Sequence, residues 1–337
     1  MNWYLQSGKD SDVVVSTRVR FARNLQDFRF NIKDETELQL LENKIKEELP
    51  EIGYELEFLK LKDMDNATQV SLVEKNLVSP EFALNKQKTG AIAINKEENI
   101  CIMINEEDHL RMQVFNSGFE LEETFNLAKE LDQKLNQVFS IAKNEKYGFL
   151  TSCPTNVGTG MRASVMVHLP GLTKTGNIQK ILESINSFGM DIRGVYGENS
   201  EASGDMYQIS NKKTLGLTEE EIIKNLKAIT EKIIEQERLA RKHLAKNSID
   251  LEDKVCRSFG IFSNCKKITS EEARKLLSDI KLGVDLGLLK NLTDAKVKKL
   301  YLYTKPASLE KFSGEEMDAY SRDIKRAEVI KKIIKEG

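Results

Sequence analysis

The chain has 337 residues, enough for roughly two domains that each bury a core. Charged residues make up 31%, hydrophobic residues 40%, and the net charge is −2, so no acidic or basic excess points to nucleic acid or a membrane surface. No run approaches the ~20 apolar residues of a membrane span, and the opening MNWYLQSGKDSD lacks the basic-then-apolar order of a secretion signal, so a cytoplasmic protein is expected.

In chain order, residues 12–16 read as a buried strand running into Arg18, Arg20 and Arg23. Asp34 to Leu49 places Leu38, Leu41, Ile45 and Leu49 on one helical face, and Pro50 stops it. Alternation of Tyr54, Leu56 and Phe58 predicts a strand, and 91–94 with 100–104 a hairpin. A long amphipathic helix follows, carrying Leu121, Phe125, Leu131, Leu135 and Val138. Strands are expected near 147–152, 162–169, 191–196 and 206–210, with helices over 177–188 and 218–244. Turns and hairpins connect most of these strands, which favours an α+β class: an antiparallel sheet with helices packed on it. Past Asn247 only helical patterns remain, including one that a Thr269–Glu272 capping box opens and one over 315–334. The expected division is a catalytic domain over 1–247 and a helical C-terminal domain over 248–337.

Four cysteines (Cys101, Cys153, Cys256, Cys265) and three histidines show no metal-ligand spacing, so a directly bound structural metal is not expected. Arginine is rationed, 13 against 38 lysines, yet three fall within residues 18–23, and Arg111, Arg162 and Arg193 sit beside turns or carboxylates. That pattern suits bidentate anion binding better than solubility.

Four blocks carry the chemistry. Ser16-Thr17-Arg18-Val19-Arg20 puts two guanidinium forks on one face of an extended segment, suited to a polyphosphate. Asn105-Glu106-Glu107-Asp108-His109-Leu110-Arg111 crowds three carboxylates that need a cation, or else form a solvated acidic turn. Thr151-Ser152-Cys153-Pro154-Thr155-Asn156-Val157-Gly158-Thr159-Gly160-Met161-Arg162 is a tight loop that is not a Walker A; a phosphate loop and a structural turn are equally compatible with it. Arg193 to Gly204 is glycine-rich with two carboxylates, the composition of a closing loop or of a plain surface loop.

In order and content these blocks resemble the phosphagen (ATP:guanido) kinases over about residues 10–245. The resemblance implies a guanido-kinase-like catalytic fold of the glutamine-synthetase type, with ATP and Mg²⁺ as cofactors. It implies that Ser16, Arg18, Arg20, His109, Arg111, Arg162 and Arg193 bind ATP. Glu107 and Glu198 would hold the acceptor guanidinium, with Cys153 supplying a thiolate beside it. Glu106 and Asp108 would order water on Mg²⁺. Met166 departs from the creatine kinase pattern, which has a His against adenine there.

Small-molecule members place their first arginine block after a helical domain of about a hundred residues, whereas here it begins at Ser16 and a helical extension follows residue 250. End to end the chain resembles the bacterial protein-arginine kinases of the McsB type. That implies protein substrates bearing arginine, an activator protein, a Clp-type ATPase or protease partner, and a homodimer or larger assembly. The segment Arg322-Asp323-Ile324-Lys325-Arg326-Ala327 resembles that family's phosphoarginine motif, with Arg322 and Arg326 taking the phosphate and Asp323 the guanidinium. A kinase for free arginine and a non-catalytic phosphoarginine reader are the competing readings; the full set of site residues argues against the reader.

Overall fold

The structure, a computed structural model, describes residues 2–84, 89–187, 189–194 and 203–336. Its centre is one antiparallel sheet of β1 (Val14–Arg23), β2 (Glu57–Lys60), β3 (Ala91–Ile94), β4 (Ile100–Ile104), β5 (Leu110–Ser117), β6 (Met161–His168), β7 (Met190–Gly194) and β8 (Met206–Asn211). The spatial order is β2-β3-β4-β5-β1-β6-β8-β7, which puts β1 in the middle with β5 and β6 as its neighbours.

Among the described residues, seven helices accompany the sheet: α1 (Glu35–Glu48), α2 (Asn66–Glu74), α3 (Pro80–Leu84), α4 (Leu121–Val138), α5 (Pro170–Lys174), α6 (Ile178–Ser187) and α7 (Glu219–Leu244). In α4, Leu121, Phe125, Ala128, Leu131 and Leu135 recur at helical spacing and bury against Val19, Phe21, Met112, Val114 and Val165 of the sheet. A reciprocal capping box between Thr218 and Glu221 starts α7, whose Ile222, Leu226 and Ile233 join the same core. One sheet face is therefore sealed by helices. On the other, Trp3, Leu72, Leu77, Phe82 and their neighbours cover the β3–β5 half in a smaller cluster.

Arg23 belongs to the sealed side, since an odd offset along a strand reverses the face. It is fully buried between the Phe21 and Phe149 rings and makes a two-pronged pair with Asp132, both bonds 2.8 Å. Arg23→Met leaves the Asp132 carboxylate buried and unpaired, and should cost about 3–5 kcal/mol in urea unfolding. Adding Asp132→Leu should recover part of that loss.

From residue 248 the described chain is helical: α8 (Ser248–Asn264), α9 (Ser270–Asp285), α10 (Asp294–Tyr303), α11 (Pro306–Ser313) and α12 (Ala319–Lys335). Phe262, Leu277, Ile280, Leu300, Leu309 and Ile330 form its own core. Polar contacts join it to the sheet part: His168 with Ser278, Lys174 with Asp279, and Arg241 with Asp285.

Two expectations change. The strand expected at 147–152 shrinks to Gly148–Phe149, paired with Lys143–Asn144, because the Ser152 amide leaves the ladder to bond the Asp108 side chain. Thr269 accepts from the Glu272 amide, the forward bond of its box.

Candidate active site

Directly opposed residues of an antiparallel sheet share a face. Arg20 faces Arg162 across β1–β6, Arg111 lies opposite Ala22 across β1–β5, and Arg18 opposes Ser164 and Phe115. Arg193 opposes Gln208, which in turn opposes Met166. All five guanidinium groups therefore rise from the sheet face that the main helical layer leaves uncovered.

The crowding has an electrostatic cost. Burial, then the nearby Arg111 and Arg162, pull the Arg18 guanidinium down to about 9. Arg20 is pulled well below its ordinary value by burial and by Arg18, Arg111 and Arg162, and its Nε is buried without a hydrogen-bond partner. Among the described residues, Arg18 reaches neutral oxygens, Ser164 at 3.4 Å and Gln208 at 3.3 Å. Asp191 bridges Arg162 at 2.9 Å and Arg193 at 2.7 Å. Arg111 donates to both Glu106 oxygens at 2.6 and 2.7 Å. An anion with several oxygens would relieve this concentration of positive charge.

At the end of β1 the acidic turn meets the cysteine loop. Glu107 is exposed at its residue surface and lies beside Cys153, whose thiol favours the charged carboxylate. Partial burial, then Asp108 and Glu106, raise Glu107 above the ordinary carboxylate range, which makes it a better proton acceptor. Cys153 starts the short turn Pro154–Asn156, and its sulfur lies 3.0 Å from the Thr155 hydroxyl. Thr214 pins the loop by donating to the Thr155 and Val157 carbonyls, both at 2.8 Å. Gly158 (φ 114°) and Gly160 (φ 61°) are required here: a Cβ on either would sit within 2.5 Å of Thr214 O or the Arg23 guanidinium.

Three of the expected ligands also make contacts within the protein. Asp108 is 2% exposed; one oxygen accepts from Asn24 at 2.8 Å and from the Ser152 amide at 2.6 Å, and the other is buried without a partner. It ties β1, the acidic turn and the cysteine loop together. Burial alone would raise Glu106, yet Arg111, the Glu107 amide and Ser79 hold it below its ordinary value, and these partners occupy its oxygens. His109, expected against the nucleotide, is buried; its Nδ1 accepts from the Leu25 amide and its Nε2 donates to the Arg29 carbonyl, each at 3.0 Å. No three His, Cys, Asp or Glu side chains among the described residues cluster as a metal site.

Ser16 is buried and lines a small concavity with Trp3, Arg18, Phe115, Met166 and Gln208. The Trp3 and Phe115 rings stack at 4.8 Å. Glu198 lies outside the described residues. In the helical part, Arg322 donates to Glu310 at 3.1 Å. Arg326 is 1% exposed and bonds the Thr304 and Ile268 carbonyls and Asp323. The expected pair of open forks is therefore one half-buried and one internally engaged arginine.

Sequence reasoning missed Asp191, Ser79, Asn24 and Thr214. Only Asp191 left a signal, two residues before Arg193 and so on the same strand face.

Comparison with known proteins agrees with this geometry. Residues 39–240 match the ATP:guanido phosphotransferase C-terminal catalytic domain, and residues 248–336 match the protein-arginine kinase McsB C-terminal domain. The protein-arginine kinase of Halalkalibacterium halodurans is 46% identical over 99% of this chain and 95% of its own length. That of Bacillus subtilis is 42% identical over 98% and 92%. Among solved structures, the duplicated taurocyamine kinase of Schistosoma mansoni with bound transition-state-analogue components is 26% identical, with a TM-score of 0.61 over 87% of this chain and 41% of that one. Lombricine kinase shares the fold at a TM-score of 0.58, covering 68% and 67%. The chain belongs to the protein-arginine kinases of the ATP:guanido phosphotransferase family.

Proposed function

We propose that the chain transfers the γ-phosphoryl group of ATP to arginine side chains of other proteins. The observation that carries this reading is the five-arginine face ending at the Glu107–Cys153 pair, which sets a polyphosphate cradle beside a carboxylate of raised basicity. A terminal guanidinium nitrogen attacks the γ-phosphorus, the bond to the β,γ-bridging oxygen breaks, ADP leaves with the electron pair, and the nitrogen's proton passes to Glu107. Arg18, Arg20, Arg111, Arg162 and Arg193 grip the phosphates. Cys153 and Glu198 complete the guanidinium site. Mg²⁺ would travel with the nucleotide, with Glu106 and Asp108 ordering its water.

The division of labour follows the two segments: catalysis in 1–247, with phosphoarginine and protein recognition in the helical 248–337. Phosphorylated proteins pass to a Clp-type ATPase and protease or are inactivated as repressors; an activator protein and a homodimer or larger assembly complete the system.

Incubation with ATP, free arginine and a bulk protein acceptor, followed by detection of acid-labile phosphate, tests the reading. Phosphate on protein arginines is the expected result. Equal transfer to free arginine would make the chain a small-molecule kinase, and phosphoarginine binding without transfer would make it a reader.

A further inference from the structure

Asp191 belongs to none of the four sequence blocks, yet it stands at the junction of two of the five arginines. It lies on β7, the terminal strand of the sheet, beside β8. Along β7, Met190 and Ile192 turn into the helix-covered core, so Asp191 and Arg193 share the opposite, arginine-bearing face. Across the strands Asp191 opposes Ser210, and Ser210 opposes Ser164, two residues from Arg162 and therefore on its face. Arg162 thus reaches from β6 past the small Ser210 side chain to β7.

The bonds engage one particular edge of that guanidinium. A single Asp191 oxygen, Oδ2, accepts from Arg162 Nη2 at 2.9 Å and from Arg193 Nε at 2.7 Å. Ser210 Oγ accepts from Arg162 Nε at 3.3 Å and from Nη2 at 3.0 Å. Among the described residues, these partners occupy the Nε–Nη2 edge of Arg162 and leave its Nη1–Nη2 fork for a bidentate phosphate. Burial pulls Arg162 below its ordinary value; Asp191 counters that pull and the like charge of Arg193 adds to it. The Asp191 side chain is 19% exposed, so solvent screens its charge only in part. A carboxylate beside a phosphate site opposes anion binding in the ground state. What it offers is geometry: two forks fixed relative to each other, where a transferring phosphoryl group spreads its charge.

We propose that Asp191 is a positioning residue for phosphoryl transfer, which locks Arg162 and Arg193 into one paired phosphate receptor and keeps both bonds while nucleotide is bound. This rests on the reading of the arginine face as the nucleotide cradle. It adds a residue that acts through two others rather than on the substrates.

Charge and geometry have opposite signs here, which separates them by experiment. Asp191→Asn in the full chain removes the charge and loosens both forks. Calorimetric titration should show ATP bound about threefold to tenfold more tightly, since an anion leaves the phosphate site. The kcat for transfer to a bulk protein acceptor should fall roughly 10–10²-fold, the scale of a misplacement of about 1 Å. Asp191→Glu restores the charge and should recover parent-like ATP affinity and part of kcat. Weaker ATP binding and a lowered melting temperature in both variants would make Asp191 a structural residue and overturn the proposal. A kcat of Asp191→Asn within about threefold of the parent, with tighter ATP, would leave Asp191 a counterion only and also overturn it. If Arg162→Met binds ATP as tightly as the parent, the cradle reading itself fails and the inference falls with it.

Discussion

Arg20→Met should make the nucleotide-free protein more stable while crippling its activity. In the unliganded protein the Arg20 charge is a cost: burial and three neighbouring arginines disfavour it, and its Nε has no hydrogen-bond partner. Methionine keeps much of the stem and removes the charge. Removing about 1 kcal/mol of repulsion and desolvation should raise the melting temperature by about 1–2 °C, given an unfolding entropy that grows with chain length. With ATP the sign reverses. The variant lacks one fork of the phosphate grip, so nucleotide should stabilise it less than the parent, and kcat/KM should fall on the order of 10²–10³, as for loss of one preorganised donor to developing charge. Melts with and without ATP, together with steady-state kinetics, check both halves. A lower melting temperature with unchanged kinetics would make Arg20 a structural residue.

That crowding of like charge is what made the arginine face legible in the sequence. A chain that rations arginine and still sets Arg18 and Arg20 two apart signals an anion, and strand alternation places both on one face. The same alternation places Arg23 on the other face, so its inclusion in one cluster with Arg18 and Arg20 conflated nearness in sequence with nearness in function. Helix α2 left little periodic signal because its buried positions, Ser71 and Leu72, are adjacent rather than spaced by three or four. It is held between the sheet part and α11, and such three-way packing cannot be read from one segment. Strand β5 was hidden because it begins inside the acidic motif, where Arg111 drew attention as chemistry rather than as part of an alternating strand. The bonds of Asp108 and His109 to Asn24, the Ser152 amide, the Leu25 amide and the Arg29 carbonyl were not legible, because a motif records which residues occur together and not which way each turns. Arg326 illustrates the same limit: its spacing from Arg322 was correct, but its guanidinium closes on the Thr304 and Ile268 carbonyls.

Glu107→Gln should abolish phosphoryl transfer while leaving ATP binding nearly intact. Glu107 stands at the edge of the arginine face beside Cys153, and is the carboxylate of the acidic turn that is exposed rather than committed to Arg111 or to buried partners. Glutamine keeps the shape but cannot accept the guanidinium proton, so single-turnover transfer should fall by at least 10²–10⁴, the contribution of a positioned general base. In the parent, the acid limb of the pH–rate profile should lie above the ordinary carboxylate range, because burial, Asp108 and Glu106 raise this group. The same shift fixes the sign of the stability effect. A carboxylate raised in the folded state costs stability once pH exceeds its unfolded pKa, and the cost disappears as pH falls below that value. Glu107→Gln should therefore be slightly more stable than the parent at pH 7 and indistinguishable from it near pH 3. Transfer within a few-fold of the parent, with an unmoved acid limb, would assign the proton to another acceptor and leave Glu107 only an orienting role.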